Sequence, residues 1–354
     1  MFYREAGQFK TSYTADAQIF PIRQDRIGFF IILVLAYLVV PWMGSDYLFT
    51  GILIPFLVLS LAALGLNILT GYAGQVSLGT AGFMAVGAFA TYNLILRLDM
   101  PFLLAFFGAG LIAAAVGIVF GLPSLRIKGF YLSVATLAAQ FFIEWALTKF
   151  GWFTNYSPSG VITAQPMTMF GVAFDTPLEK YLLTLTIVAV MALLAKNLMR
   201  SKTGRAFMAI RDMDVAAEVI GIPMLKTKLL AFAISSFYCG VAGALYAYAY
   251  LGSVEPQAFD LNRSFQILFM IIIGGLGTIV GAFLGSAFII LLPIFLNLVA
   301  HGLFGGAVPT SVLSNTELII FGGLIIFFLA VEPNGLARLW QIGKEKLRLW
   351  PFPH

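Results

Sequence analysis

Between Tyr47 and Leu96 this chain has not one Asp, Glu, Lys or Arg, and the same holds from Pro101 to Leu125 and from Ser264 to Thr316. Each stretch has room for one or two helices of about 20 apolar residues, the length that crosses the hydrocarbon of a bilayer. In that medium every backbone N–H and C=O must be paired inside the protein, so apolar runs of this length become helices. Composition points the same way. Of 354 residues, 60% are hydrophobic and 10% charged, where an ordinary soluble domain carries about 25% charged residues. A soluble fold of this size keeps roughly a quarter of its chain surface wet, which this composition does not allow. The expected fold class is all-α, a polytopic transmembrane helix bundle.

A ruler of about 20 residues places ten spans, near 27–43, 49–69, 72–96, 101–122, 129–148, 181–199, 229–251, 264–277, 281–300 and 316–331. They divide the chain into a polar lead (1–26), a transmembrane region (27–332) and a tail (333–354). The first apolar run starts at Ile27 with no small-x-small cleavage site after it, so it reads as a retained helix. The eighth and ninth spans meet at "GGLGTIVGAFLG", Gly274 to Gly285. That run fits either a tight hairpin or a break in a re-entrant helix.

Basic residues collect in four places: Arg4, Lys10, Arg23 and Arg26; Arg126 and Lys128; the run from Lys196 to Lys228; and Arg338, Lys344, Lys346 and Arg348. With ten spans all four fall on one side, which the distribution of Lys and Arg marks as cytoplasmic, both termini included. The same distribution fits membrane orientation better than nucleic acid, for which no partner role is expected. The loop at 149–180 lies opposite. Its "GWFTNYSPSG" is turn-rich and aromatic, and reads either as a cover over the bundle mouth or as a structural flap. In the tail, Leu339, Trp340, Leu347 and Trp350 stand among basic residues and suggest an interfacial helix on membrane lipid.

Several function classes lose support. Cys239 has no partner for a disulfide, and His301 and His354 lie far apart with no metal-ligand spacing. An intramembrane enzyme needs clustered His, Asp or Glu at membrane depth, and no such cluster appears in the sequence. An ion-coupled transporter needs an ionisable partner there. Glu144 is the main candidate, and it also reads as a helix-end carboxylate at the interface. Neutral polar residues do cluster in "LNILTGYAGQVSLGTAGFMAVGAFATY": Asn67, Thr70, Gln75, Ser77 and Thr80. In hydrocarbon these must face protein or water. Read as one helix, the stretch puts Ser77, Ala81 and Ala85 on one face and Gly74, Gly82 and Ala90 on another, as in close helix packing. For Asn67, Gln75 and Ser77 a pathway-lining role and a packing role stay open.

One segment departs from the rest: "SKTGRAFMAIRDMDVAAEVIGIPMLKTKLLAF", Ser201 to Phe232. It predicts a helix over Lys202–Met213. A second, short helix follows, with Asp214 as N-cap, Glu218 in its first turns, a stop at Gly221 and Pro223 beyond. A short amphipathic helix on the cytoplasmic side is what a partner's groove would grip. No G-x-x-x-x-G-K-[ST] occurs in the chain, so any nucleotide-driven work needs another chain.

With these pieces in order, the chain resembles the permease subunits of bacterial ABC importers for branched-chain amino acids, whose close relatives serve urea and short amides. The matching parts are "GLNILTGYAGQVSLGTAGFMAVGAFATY", "RIKGFYLSVATLA", "SKTGRAFMAIRDMDVAAEVIGI", "KLLAFAISSFYCGVAGALYAY" and "GGLGTIVGAFLG". The resemblance implies that "DVAAEVIGI" is the coupling helix, the degenerate counterpart of the EAA loop. Asp214, Ala216, Ala217, Glu218 and Gly221 match it, and Arg205 and Arg211 stand where the family has them. It also implies alternating access in the inner membrane and a second, similar permease. Two ATP-binding subunits would hold ATP and magnesium, which leaves no cofactor in this chain, and a periplasmic solute-binding protein would deliver cargo. Asn67, Gln75, Ser77 and Thr80 become the candidate translocation pathway. One departure is Thr80, in "SLGTAGF", where many relatives have a His after "SLG".

Overall fold

The structure is a computed structural model that describes residues 11–12, 18, 23–124, 130–169, 172–304, 310–331 and 334–349. Arg126, Lys128, most of the polar lead and His354 lie outside these residues. The helices are α1 (Arg26–Met43), α2 (Leu48–Tyr72), α3 (Thr80–Leu98), α4 (Phe102–Ser124), α5 (Phe130–Lys149), α6 (Pro177–Arg200), α7 (Lys202–Asp212) and α8 (Asp214–Val219). After them come α9 (Met224–Leu251), α10 (Leu261–Gly274), α11 (Ile279–Phe304), α12 (Thr310–Val331) and α13 (Gly335–Leu349). Strands β1 (Ile162–Thr163) and β4 (Ser253–Val254) pair antiparallel, as do β2 (Thr168–Met169) and β3 (Val172–Ala173).

Every one of the ten predicted spans contains a helix, and the molecule is a polytopic all-α bundle. Among the described residues seven helices are long and apolar enough to cross a membrane: α1, α2, α3, most of α4, α6, α9 and most of α11. Helix α10 is not one of them. Its 14 residues reach about 21 Å at 1.5 Å per residue, against about 30 Å of hydrocarbon.

The core is built around α2 and α9. From Ile54 to Tyr72 nearly every residue of α2 is buried, as expected for a helix that is apolar on all sides. Helix α9 packs closely on α3 and α4 through small residues. A Cβ added to Gly243 would lie 1.9 Å from the carbonyl oxygen of Met84, and one on Gly87 would lie 2.0 Å from that of Gly240. Backbone therefore meets backbone, which is how helices associate where lipid removes the hydrophobic drive.

Two expectations need correction. The third span is not one helix from residue 72. Helix α2 runs to Tyr72, residues 73–79 are non-helical, and α3 starts at Thr80. Gln75 and Ser77 thus sit in a break rather than on a helical face, and the small-residue faces that used Gly74 and Ser77 do not exist. Asp214 is not an N-cap but the first residue of α8. Met213 holds the cap position, and the Asp214 carboxylate accepts the neighbouring Val215 N–H at 2.9 Å.

Candidate functional site

The break at 73–79 runs up along α5 into the middle of the bundle. Non-helical backbone at membrane depth survives only where protein supplies its hydrogen bonds. Here Thr136 Oγ1 accepts the Leu78 N–H at 2.9 Å, and Ser133 Oγ donates to the Val76 carbonyl at 3.5 Å. Thr70 Oγ1 donates to the Gln75 carbonyl at 3.1 Å, the Gln75 N–H reaches the Leu69 carbonyl at 3.0 Å, and Ser77 Oγ accepts from the Gly79 N–H.

At its upper end the break meets Gln140, which lies midway along α5. Its amide oxygen accepts from the Gly82 N–H and from the Ser264 hydroxyl, and its amide nitrogen donates to the Phe259 carbonyl at 2.8 Å. Ser264 Oγ in turn accepts the Ala81 N–H at 2.9 Å. All these side chains are buried. The first turns of α3 and α10 therefore meet at the centre of the bundle and leave in opposite directions. Helix α10, capped by Asp260 at the Arg263 N–H, runs toward the α7–α8 segment. Helix α3 runs the other way, where Asn93 and Arg97 donate to the carbonyls of Phe153 and Trp152. Helices interrupted at mid-depth are the architecture of transporter binding sites.

Four polar atoms around the junction have no partner: Nε2 and Oε1 of buried Gln75, Oγ1 of buried Thr80, and Nε of Arg263 on the first turn of α10. Buried polar groups are normally paired, and an unpaired one calls for a partner such as water or a ligand. Asn67 differs. Its amide donates to the Thr278 carbonyl at 2.7 Å and accepts the Gly277 N–H at 2.9 Å, so it is spent inside the protein. The structure thus brings Gln75, Ser77 and Thr80 to the central junction and places Asn67 below it, at the α10–α11 turn.

The charged segment forms two helices. Ser201 caps α7, whose buried residues Gly204, Phe207 and Ile210 anchor it. Arg205 donates to the Arg200 carbonyl at the end of α6, and Arg211 reaches the Gly71 carbonyl at 3.0 Å while its other nitrogens hold Asp212. In α8, Ala217 turns inward while Ala216 and Glu218 are exposed. Gly221 then takes a positive φ of 88° just beyond the helix end, as a left-handed C-terminal stop requires. Met213, Val215, Val219 and Ile220 stand exposed together, Val219 at 82%. Exposed apolar clusters of this kind are how interaction surfaces are recognised.

On the opposite side the 149–180 loop is fixed to the bundle. Arg97 stacks over Trp152 at 4.2 Å, and β1 pairs with β4. A cleft of about 410 Å³ opens between this loop and Glu255–Gln257, with Lys149, Tyr156 and Glu255 in its walls.

Sequence reasoning missed Gln140, Thr136 and Ser264. A lone amide in the middle of an apolar span carries a cost unless it is paired, and that signal would have found Gln140. Val219 and Ile220 are readable in the sequence as apolar positions of a short amphipathic helix; the structure adds Met213 and Val215 to the same exposed face.

A membrane bundle with broken spans and a short exposed helix on one face fits the class of multi-pass transport permeases. The chain belongs to the family described as the permease component of branched-chain amino acid transport systems, whose profile matches residues 48–329. It is 29% identical over 296 residues to the high-affinity branched-chain amino acid transport system permease protein LivM of Escherichia coli, covering 77% of this chain and 66% of that one. To the probable branched-chain amino acid transport permease protein LivM of Methanocaldococcus jannaschii it is 23% identical over 328 residues, 82% of this chain and 93% of the relative. The autoinducer 2 import system permease protein LsrC of Enterobacter is 28% identical over 221 residues, 61% of each chain. The chain spans just under two thirds of the length of the Escherichia coli relative. No solved structure matches it.

Proposed function

We propose that this chain is the membrane-spanning permease subunit of an ATP-driven ABC importer for branched-chain or related amino acids, working by alternating access. The observation that carries the reading is the exposed cluster Met213, Val215, Val219 and Ile220 on a short helix next to the broken spans. Such a knob suits the groove of an ATP-binding partner, and the family supports that partner. Two ATP-binding subunits, which hold ATP and magnesium, grip α8; a second permease completes the bundle; a periplasmic solute-binding protein delivers cargo to the side of the 149–180 loop. In this reading the α8 face and both termini are cytoplasmic, in a bacterial inner membrane. Arg205, Arg211, Asp214, Ala216, Ala217, Glu218 and Gly221 belong to the coupling segment.

The buried, unpartnered groups of Gln75 and Thr80 line the cargo route at the central junction. Gln75 and Thr80 are themselves neutral, which suits cargo that is passed on rather than held tightly. The test is reconstitution: liposomes holding this chain with its co-purified partners take up leucine, isoleucine or valine only with ATP inside. Uptake by the chain alone without ATP contradicts the reading.

A further inference from the structure

We propose that Arg211, Gly71, Asn67 and Gly277 form a slack-free joint that carries motion of the α7–α8 segment into both broken spans, with Arg211 and Asn67 as positioning residues for transport. The inference rests on the importer reading above and goes beyond it by naming where the stroke enters the membrane region.

Four pieces of chain meet at this point. Arg211, in the last turn of α7, donates through Nη1 to the Gly71 carbonyl at 3.0 Å. Gly71 lies in the final turn of α2, which is wound as a π-helix over Ile68–Tyr72. Helix ends leave carbonyls without intrahelical partners, and a cation is favoured there. One turn earlier, Asn67 holds the turn between α10 and α11 with both amide atoms, at Gly277 N–H and Thr278 C=O.

The spaces between these pieces are closed. A Cβ on Gly71 would lie 2.3 Å from the Gly277 nitrogen, and one on Gly277 would lie 3.0 Å from Arg211 Nη1. Gly74, at φ +69°, would place a Cβ 3.2 Å from the Arg211 Cα. From the far side, Asn334 brings its carbonyl so close that a Cβ on Gly275 would meet it at 2.4 Å. The glycines put no side chain of their own between these pieces, so a shift of α7 is passed on through the Arg211 and Asn67 side chains that bridge them. Tightly packed contacts transmit displacement rather than damping it.

Two routes leave the joint and end at the same place. One climbs through the break from Gly74 to Leu78, held by Thr136, and reaches Thr80. The other climbs α10 from Gly275 to Ser264, which holds the Ala81 N–H. Both deliver motion to the junction where Thr80 and Gln75 keep unpartnered polar atoms.

The experiment uses the complete importer in proteoliposomes and measures ATP hydrolysis and uptake of radiolabelled leucine, isoleucine and valine together. The variants are Arg211→Met, Asn67→Leu, their double, and Arg211→Lys; chromatography first confirms that each assembles with its partners. Each single variant is expected to keep hydrolysing ATP while uptake per ATP falls by between about twofold and thirtyfold, the range of single-site effects on coupling. The double variant is expected to be no worse than the worse single one, because both act in one joint. Arg211→Lys, which can still donate to the Gly71 carbonyl, recovers part of the loss. Unchanged uptake, a parallel fall of uptake and hydrolysis, or additive losses overturn the joint and leave the importer reading standing. Wild-type uptake that ignores ATP overturns the importer reading, and the joint with it.

Discussion

The hydroxyl of Ser264 accepts the backbone N–H of Ala81 at 2.9 Å and ties the first turn of α10 to the first turn of α3. Helix α10 thus closes one open N–H at the start of α3, and Gln140 closes a second, at Gly82, while also accepting from Ser264. Around this knot lie two kinds of buried polar side chain: some fully paired, others with no partner at all. The account gives them different duties.

Gln140 is structural in this scheme. Gln140→Leu leaves the Gly82 N–H and the Phe259 carbonyl unpaired in the interior, and an orphaned buried group costs about 1–3 kcal/mol. Thermal unfolding of the purified protein in detergent is expected at a clearly lower temperature than wild type. An unchanged midpoint would remove the knot from the list of stabilising features.

Gln75 and Thr80 are the opposite case. Their side chains have no partner to lose, so Gln75→Leu and Thr80→Val leave the unfolding temperature unchanged or raised. Uptake by the reconstituted importer is expected to fall at equal protein level. Normal uptake by both variants would contradict their place on the cargo route.

The docking face of α8 is exposed enough to change without cost to the fold. Val219 and Ile220 are 82% and 73% exposed, and surface substitutions at such positions usually shift stability by no more than about 0.5 kcal/mol. The double variant Val219→Asp with Ile220→Asp is expected to be produced at wild-type level and to lose its ATP-binding partner on affinity purification. Retention of that partner at wild-type stoichiometry contradicts the docking assignment.

Gly221 separates a backbone requirement from a side-chain one. No atom stands within 4 Å of a Cβ built there, but its φ is +88°. A β-branched residue at such a φ costs roughly 1–2 kcal/mol, whereas Asn tolerates left-handed backbone. Gly221→Val should weaken partner binding and coupling well beyond Gly221→Asn. Equal behaviour of the two would mean that the stop at Gly221 is not what shapes α8.

Much of this was legible in the sequence, for physical reasons. Long charge-free runs favour spanning helices, so most helices could be placed. The Ser201–Lys228 segment stood out because charge is expensive in hydrocarbon, and Gly221 was recognisable as a stop because few residues take that backbone. The break at 73–79 was not legible. Its sequence, "AGQVSLG", is as uncharged as its neighbours, and it is held open by Ser133 and Thr136 of a helix more than 50 residues away. The start of α10 has a local signal, since Asp260 caps it at the Arg263 N–H, but the contact of its first turn with Gln140 spans 124 residues and was out of reach. The bonds of Asn67 to the α10–α11 turn were not legible either, because Gly277 and Thr278 lie about 210 residues further on. Asp214 has the residue type of an N-cap, but Met213 occupies the extended position just before α8.

The central claim is that ATP bound to partner chains drives this bundle through α8. It is tested most directly by purifying the tagged chain with its native partners, sealing the complex in liposomes with and without internal ATP, and following radiolabelled leucine, isoleucine and valine. The account predicts uptake only with ATP, abolished by Val219→Asp with Ile220→Asp. Uptake that proceeds without ATP, or that survives this double variant, contradicts it.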